Sequence, residues 1–313
     1  MTRGDRPIRF GVQIAQEMVT WAELKEACQQ VEEMGFDTLW SHDHFLPADP
    51  HVTEGPCMDG WATLAAMAAL THRIRLGCFV TGNTYRHPSV LAKMATTVDI
   101  ISGGRMEFGL GAAWFAEEHQ AYGIPFYTKG ERIHRLDEAL ELIKMLWTSE
   151  ENCNFNGRYY QLKDAPFDPK PLQKPHPPIM VGGGGEKLTL RVVAKWADAM
   201  NVFGSPQVVR HKISVLEGHC RAVGRNPEEI EYTIATRLFL PQDRPAMERF
   251  LQAAGPTWGT SEDEMLVGDF DRVRARVKEY VEVGVTHLIL AVRTPYDYQA
   301  LQGFMDEVVA AFR

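Results

Sequence analysis

The chain alternates between short apolar runs and longer segments of helical periodicity, and this unit occurs eight times. In the first unit the run Ile8–Ile14 precedes Thr20, a residue type that often caps helices. Leu24 and Val31 then fall on one face of the following segment, and Gly35 ends it. A strand followed by an amphipathic helix is the repeating unit of α/β folds.

Eight predicted strands follow one another in this way, each with at least one helix after it. Eight such units in 313 residues predict an α/β fold, a (β/α)8 TIM barrel, in a single domain over residues 1–313. A doubly wound sheet is the alternative, but the first turn, at 14–17, lacks the glycines of a dinucleotide fingerprint. The predicted strands are Ile8–Ile14, Asp37–Ser41, Ile74–Thr81, Arg105–Leu110, Ile179–Val181, Ala199–Phe203, Glu231–Leu240 and His287–Val292.

A long insertion interrupts the alternation between strands four and five. It covers about residues 111–177 and contains one strongly predicted helix, Glu131–Trp147. The run FNGRYYQL and a proline-rich stretch follow this helix. We expect a small hairpin there. A second, shorter excursion covers about 241–268. Excursions of this length in compact domains are usually functional, so we expect them to define the substrate site.

The charge and the apolar pattern argue against two classes of partner. The 41 acidic residues outnumber the 33 basic ones, the net charge is −8 and no basic run stands out, so we expect no nucleic-acid binding. No run of about 18 apolar residues occurs, so we expect no membrane span. Five widely spaced cysteines without a CxxC pair, and an N-terminus without an apolar secretion signal, predict a cytoplasmic location.

Ionisable and aromatic residues cluster where the second predicted strand ends, which is where a barrel carries its active site. The segment 40–45 reads WSHDHF. His42 and His44 are two residues apart and would point the same way from a strand, as a metal site requires. Polar contact with a bound cofactor is the other interpretation, and the residues alone leave both open.

A run of four glycines, Gly182–Gly185, follows the fifth predicted strand and leads into a helix. Glycines let backbone N–H groups turn toward an anion, and a helix N-terminus adds unpaired donors and partial positive charge. The run lacks the Lys-Ser/Thr pair of a Walker loop, and Lys187 stands where the last glycine of GxGxxG would be. It therefore predicts a phosphate-binding loop of another type.

Six segments spread over nearly the whole chain occur in the order typical of one enzyme family. They are EEMGFDTLWSHDHF, RIRLGCFVTGNTYRHPSVLAKMATTVDIISGGRMEFGLGAAW, EEHQAYGIPF, GERIHRLDEALELIKMLW, PPIMVGGGGEKLTLRVVAKWADAMN and VEVGVTHLIL. The chain resembles the bacterial luciferase-like monooxygenase superfamily and, within it, the oxidoreductases that depend on the deazaflavin coenzyme F420. The family fold is a (β/α)8 barrel, and the resemblance implies a cofactor across its C-terminal mouth.

The resemblance also implies which residues hold the cofactor. Its phosphate would bind the glycine-rich loop, and its ring would pack on a bulge with a non-prolyl cis peptide, by position the bond Cys78–Phe79. Asp43 and His44 match an Asp-His pair that contacts the deazaflavin. The implied cofactor-binding residues are Asp43, Cys78, Phe79, Thr81, Ala112, Ala113, Gly183, Gly184, Gly185, Glu186 and Lys187.

The implied reaction is hydride transfer between F420 and a small organic substrate, with His44 as the catalytic residue that moves a proton. Trp40, Phe45 and Trp114 would form an apolar substrate pocket. In the sugar-phosphate dehydrogenases of this family a glutamate acid follows the glycines of strand four, and Trp114 occupies that place here. This departure argues against a sugar-phosphate substrate.

Three other functions stay open at this point. The same fold can use FMN as a two-component flavin monooxygenase that a reductase supplies with electrons. A metal-dependent hydrolase barrel would use His42 and His44 and would bind zinc instead of a ring cofactor. A relative without catalysis would bind the ring and consume no substrate. The resemblance further implies a homodimer and, as electron supplier, a flavin or F420 reductase.

Overall fold

Eight parallel strands close into a barrel, as the alternation predicts. The computed structural model describes residues 6–48, 54–241, 243–254 and 261–313. Each strand pairs with the next one along the chain, and the ring closes where the first strand pairs with the last, with Val12 opposite Leu290. The strands are β1 (Arg9–Ile14), β2 (Thr38–Ser41), β3 (Arg75–Cys78), β4 (Met106–Gly111), β5 (Ile179–Gly182), β6 (Ala199–Val202), β7 (Glu231–Thr236) and β8 (His287–Val292).

Helices surround the barrel, and local signals fix their ends. Thr20 and Glu23 form a capping box at the first helix, and Gly224 ends the helix Pro206–Val223 in the left-handed conformation at φ +71°. The α-helices described are Trp21–Glu33, Gly60–Leu70, Pro88–Ile101, Ala116–Ala121, Lys129–Thr148, Thr189–Trp196, Pro206–Val223, Arg244–Ala254, Phe270–Glu282 and Tyr298–Glu307, with 3-10 turns at Pro227–Glu229 and Val309–Ala311. None of the helices in the described ranges is both long and apolar enough to cross a bilayer.

Apolar side chains pack in two layers, one on each side of the strands. The large outer cluster lies between the helices and the barrel. The small inner cluster fills the barrel itself and includes Trp40, Phe79, Met180 and Ile289. Because the interior is packed, the barrel is not a pore, and ligands must bind at its ends.

Charged residues close the N-terminal end of the barrel. The guanidinium of Arg9 contacts Glu107 at 2.5 Å and Glu231 at 2.6 Å, and Arg75 contacts Glu107 at 2.7 Å. His287 is fully buried behind them, with its Nε2 2.8 Å from the hydroxyl of Thr38. Burial would raise the pKa of Glu107, but the two guanidinium groups outweigh it and lower that pKa to about 2.

The long connection from β4 to β5 contains the expected helix and hairpin. The helix is Lys129–Thr148, three residues longer than predicted over Glu131–Trp147, and the short helix Ala116–Ala121 precedes it. Strands Cys153–Asn156 and Gln161–Ala165 form an antiparallel hairpin. In the second excursion the helix Arg244–Ala254 is described, and residues 242 and 255–260 lie outside the described residues.

Three predicted boundaries need correction. The third predicted strand, Ile74–Thr81, is interrupted after Cys78 and resumes only at Thr81–Gly82, which pairs with β4. The seventh, Glu231–Leu240, breaks at Arg237, and Leu238–Phe239 pairs with Leu266–Val267 outside the barrel. The helix expected from Glu186 begins at Thr189, because a turn occupies residues 186–188.

Candidate active site

A cavity of about 520 Å³ opens at the C-terminal ends of the strands. This is the end at which barrel enzymes carry their active sites, and the volume is sufficient for a cofactor ring with a small ligand. All eight barrel strands contribute to this cavity through their last residues or through the loop that follows them. The lining residues include Glu17, His42, His44, Phe79, Val80, Thr81, Gly111, Ala112, Ala113, Trp114, Lys129, Arg132, Gly182, Gly183, Gly184, Gly185, Phe203, Arg237 and Arg293.

The floor of the cavity is a shelf formed by Phe79 and Val80. The peptide bond between them is cis, one bond later than the predicted Cys78–Phe79. A Cβ atom on Gly111 or Gly182 would lie 2.9 Å from a methyl group of Val80. Glycine is therefore needed at the ends of β4 and β5, because the Val80 side chain occupies the space that their side chains would fill.

The glycine loop lies on the wall of the cavity. Gly183 has a φ of +125°, which side chains rarely adopt, and a Cβ on Gly185 would lie 2.7 Å from the hydroxyl of Thr189. Within the described residues, the N–H groups of Gly184 and Gly185 donate no hydrogen bond. The helix that starts at Thr189 has no side-chain cap at its N-terminus. Unpaired donors beside an uncapped helix start form a site for an anion.

Glu186 and Lys187 are exposed and lie outside the cavity lining. The Glu186 carboxylate contacts Lys212 at 2.6 Å and His211 at 3.1 Å. Lys212 and His211 thus hold the Glu186 side chain toward the helix Pro206–Val223. The structure therefore brings the three glycines of the predicted phosphate site to the cavity and leaves these two side chains outside it.

His44 lines the cavity and is oriented by a buried carboxylate. Its Nδ1 lies 3.1 Å from Glu118 Oε2, which also accepts the backbone N–H of Phe45 at 3.0 Å. Burial would raise the pKa of Glu118, but its hydrogen bond to His44 contributes to lowering it. An ionised Glu118 accepts the Nδ1 proton, so Nε2 of His44 is the nitrogen left to exchange a proton.

His42 lines the same cavity and is also buried. Gln16 fixes it: the Gln16 amide donates to the His42 carbonyl at 2.6 Å and accepts its backbone N–H at 3.1 Å. Nε2 of His42 lies 3.5 Å from Glu17 Oε2. Burial would raise the pKa of Glu17, but His42 and Arg293 outweigh it and lower that pKa to about 2.

Asp43 is fully buried and lies behind the cavity wall. Arg86 holds both of its carboxylate oxygens, at 2.9 and 2.7 Å, and also contacts Asp59 at 2.8 Å. Burial raises the pKa of Asp43 to about 6, although Arg86 opposes the shift. Asp43 thus lies outside the lining residues, and its carboxylate braces the segment that carries His42 and His44.

The three aromatic residues expected in a substrate pocket have different surroundings. Trp114 lines the cavity, is 54% exposed, stacks on Phe115 and meets the His44 ring edge-on at 5.5 Å. Phe45 packs on Tyr85 and Tyr122 behind the lining. Trp40 is completely buried in the barrel interior, where its indole N–H donates to Thr38 at 2.8 Å. The expectation that Trp40 shapes the pocket is therefore corrected, because Phe79 covers it.

Of the remaining predicted cofactor residues, three line the cavity and one lies outside its lining. Thr81 lines the cavity, and its hydroxyl accepts the indole N–H of Trp61 at 2.9 Å. Ala112 and Ala113 also line it, and Ala113 has a φ of +59°. Cys78 is buried beneath the shelf and outside the lining, and burial raises the pKa of its thiol.

Cationic side chains dominate the rim of the cavity. Lys129, Arg132, Arg237 and Arg293 contribute to the lining, whereas Glu17 is its one carboxylate among the described residues. Arg132 is anchored by hydrogen bonds to the Ala112 carbonyl at 3.1 Å and the Tyr127 carbonyl. The cavity therefore favours a ligand with net negative charge.

Sequence reasoning missed Gln16, Glu17, Arg86 and Arg293 as parts of the site. Gln16 and Glu17 follow β1 directly and Arg293 follows β8, so their position at strand ends was a usable signal in a barrel. Arg86 lies in the loop between the short strand Thr81–Gly82 and the helix Pro88–Ile101, and its pairing with Asp43 across the fold has no local signature.

The two histidines of the metal hypothesis turn to different carboxylates, His42 to Glu17 and His44 to Glu118. In the part of the chain that the structure describes, no three His, Cys, Asp or Glu side chains converge to form a metal-binding group. The described residues thus supply no ligand set for the alternative of a zinc hydrolase.

Comparison with known proteins gives a family and a fold. Residues 7–255 match the family model described as luciferase-like monooxygenase. The F420-dependent glucose-6-phosphate dehydrogenase of Kineococcus radiotolerans is 29% identical, over 98% of both chains. The enzyme of that description from Amycolatopsis mediterranei is 26% identical, over 98% of this chain and 99% of that one. A solved F420-dependent secondary alcohol dehydrogenase in complex with an F420-acetone adduct has a TM-score of 0.87 at 20% identity, over 98% and 99% of the two chains.

Proposed function

The chain belongs to the luciferase-like monooxygenase family, and on that premise we propose that it transfers a hydride between coenzyme F420 and a small organic substrate. The observation that carries the proposal is that one cavity combines the shelf of Phe79 and Val80 with the unpaired N–H groups of the glycine loop. A flat ring with a phosphate-bearing side chain requires such a pair of surfaces. The relatives named as F420-dependent dehydrogenases support this cofactor.

The residues present fit such a group. The loop of Gly183, Gly184 and Gly185 would hold its phosphate, because the N–H groups of Gly184 and Gly185 and the helix start at Thr189 supply donors without side-chain bulk. The backbone of Ala112 and Ala113 would line the chain between phosphate and ring. The cationic rim would attract the negative charge of the cofactor. When bound, F420 exchanges a hydride with the substrate at one ring carbon.

His44 would move the proton that accompanies the hydride. Its Nδ1 is oriented by Glu118, so Nε2 exchanges the proton with the substrate, and Glu118 stabilises the imidazolium when it forms. Trp114 and the shelf give the space beside His44 apolar walls.

The substrate we propose is not a sugar phosphate. The large, half-exposed Trp114 fills the position at which the resemblance expects a glutamate acid, and it presents an apolar face next to His44. Such a wall favours an apolar alcohol or carbonyl compound over a polyhydroxylated one, because a sugar's hydroxyl groups would lose water without gaining partners there.

Binding of F420 and FMN by the purified protein, followed by quenching of its tryptophan fluorescence, tests the choice of cofactor. We expect F420 to bind at least tenfold more tightly than FMN. Gly185→Ala should weaken F420 binding, because the new Cβ collides with the Thr189 hydroxyl, whereas Gly130→Ala, in open space, should not. A preference for FMN would support the two-component monooxygenase instead.

We also propose a cytoplasmic homodimer that receives electrons from an F420 or flavin reductase. The five cysteines are all free, which agrees with a reducing compartment. Val90 and Ile101 lie eleven residues apart on one face of the helix Pro88–Ile101 and are 53% and 45% exposed. An apolar face of this kind supports a contact between two copies of the chain.

A further inference from the structure

His42 has a role that the proposed reaction does not yet use. Its Nδ1 receives two donors: the backbone N–H of His44 at 3.3 Å and the side-chain amide of Gln16 at 3.4 Å. The Gln16 amide cannot be reversed, because its NH2 group donates to the His42 carbonyl and its oxygen accepts the His42 N–H. Nδ1 must therefore offer its lone pair, and the neutral ring carries its proton on Nε2.

That Nε2–H group is a buried donor that faces the cavity. The His42 side chain is 4% exposed and lines the cavity, and within the described residues its Nε2 makes no hydrogen bond. Glu17 Oε2 is nearby at 3.5 Å, outside good hydrogen-bond geometry. A buried donor without an acceptor is unfavourable, so its retention on a cavity wall indicates that a bound molecule supplies the acceptor.

We propose that the Nε2–H group of His42 donates a hydrogen bond to the reacting oxygen of an alcohol or carbonyl substrate. This inference rests on the proposed function. When the carbonyl carbon gains a hydride, the C=O π pair moves onto the oxygen, and His42 stabilises that charge while keeping its own proton. His44 supplies the proton that completes the O–H bond, and in alcohol oxidation each transfer runs in reverse.

The surroundings of the two imidazoles separate these tasks. Burial lowers the pKa of His42, which favours the neutral ring that donates from Nε2 and keeps its proton. His44 has the opposite arrangement, with Nδ1–H donating to Glu118 and Nε2 free to take up a proton. The ring centroids are 5.2 Å apart, so both rings can address one substrate oxygen.

Nitrogen-15 NMR of the histidine-labelled wild-type protein tests the donor without relying on turnover. Comparison with His42→Gln assigns the His42 signals. We expect a neutral ring protonated at Nε2. Its Nε2–H signal should move little when oxidised F420 is added and should shift when cyclohexanone or acetophenone is added to that complex. A ring protonated at Nδ1, a shift complete with F420 alone, or no ketone-dependent shift would each overturn the proposal.

Kinetics of three variants provide the second readout. With an alcohol that the enzyme oxidises, His42→Phe should lower kcat by about 10²–10³, the effect typical of losing one such donor. The F420 Kd should stay within about twofold, and His42→Gln, which keeps an N–H donor, should recover most of the rate. The exposed His72→Gln variant is the control. An unchanged kcat in His42→Phe would contradict the role of His42. A wild-type protein that does not bind F420 would instead contradict the proposed function itself.

Discussion

His42 and His44 lie two residues apart at the end of β2, yet their neighbours fix opposite tautomers. A backbone N–H and the Gln16 amide point at Nδ1 of His42, whereas a carboxylate faces Nδ1 of His44. One ring therefore presents a donor to the cavity and the other presents a proton acceptor. The different roles of these two neighbouring histidines thus follow from hydrogen-bond partners that lie 2, 26 and 74 positions away in sequence.

Replacing His44 by Ala removes the group that moves the proton. We expect turnover with an alcohol substrate and F420 to fall by about 10²–10⁴, with F420 Kd little changed. Steady-state kinetics beside fluorescence titration measure both quantities, and His72→Gln is the matched control. Turnover equal to that of the wild type would rule out His44 as the proton carrier.

Replacing Arg86 by Met leaves the Asp43 carboxylate buried without its cation. We expect a loss of about 3–5 kcal/mol in the free energy of unfolding, measured with urea. Because the pKa of Asp43 is already raised to about 6, the folded protein can take up a proton there. The loss should therefore be smaller at about pH 5 than at about pH 8.

The double variant Asp43→Asn with Arg86→Met is the matched control for this pair. It removes the charge together with its partner, so it should recover part of the lost stability and abolish the difference between the two pH values. A single Arg86→Met variant that is as stable as the wild type at both pH values would contradict the bracing role of this ion pair.

Side-chain direction is the part of the site that the sequence could not supply. The sequence placed residues 40–45 at a strand end correctly, but it could not tell that Trp40 points into the barrel while His42 and His44 reach the cavity. Arg86 was missed because its partner, Asp43, lies on a different loop. Such pairings depend on how strands close around the barrel, and no local spacing encodes them.

At the scale of elements, the C-terminal ends of β3, β4 and β5 form one packing unit. Val80 enters the space above Gly111 and Gly182, which is why both strands end in glycine. Gly111→Ala should press on Val80, reduce stability by about 1–3 kcal/mol and weaken F420 binding. Urea unfolding and fluorescence titration measure the two effects.

Adding Val80→Ala to Gly111→Ala tests the cause. The smaller side chain makes room for the new methyl group, so the double variant should be more stable than the sum of the two single effects predicts. Gly130→Ala, in a helix and with no atom near its Cβ position, should be neutral or slightly stabilising. Strict additivity of the two substitutions would show that Val80 is not the obstacle.

The ionic cluster at the opposite end of the strands contributes stability that depends on pH. The pKa of Glu107 is lowered to about 2, so the ionised carboxylate stabilises the folded state above its ordinary pKa, and this contribution is lost as pH falls from about 4.5 toward 2. Glu107→Gln should cost about 3 kcal/mol near neutral pH, and the difference from wild type should narrow below about pH 4.5. The exposed Glu150→Gln variant should show no such pH dependence.

Element order was predictable because hydrophobic period and capping residues are local signals. The strand His287–Val292 has its predicted bounds, and the helix Lys129–Thr148 is only three residues longer than predicted. The errors fall where tertiary contacts override local preference. The break after Cys78 arises from the shelf, and the late helix start at Thr189 arises from the glycine loop beside the cavity.

At the scale of the whole molecule, the barrel leaves one end sealed by charge and the other open to a cavity with a cationic rim. The remaining expectation at this scale is the homodimer. Sedimentation should give twice the mass of one chain, and Val90→Asp with Ile101→Asp should shift the protein toward a monomer. Thr148→Asp, at an exposed position of another helix, is the control, and a wild-type monomer at micromolar concentration would contradict the dimer.

Transfer of deuterium from a labelled alcohol distinguishes hydride transfer from a reaction with oxygen. The purified protein is mixed with oxidised F420 and an alcohol it oxidises, deuterated at the reacting carbon, and the reduced cofactor is analysed by mass spectrometry. Hydride transfer to F420 predicts one deuterium atom in the ring, no consumption of oxygen and a primary isotope effect on the rate. Deuterium released into water, or a product that contains an oxygen atom from O2 and forms only with FMN, would contradict it.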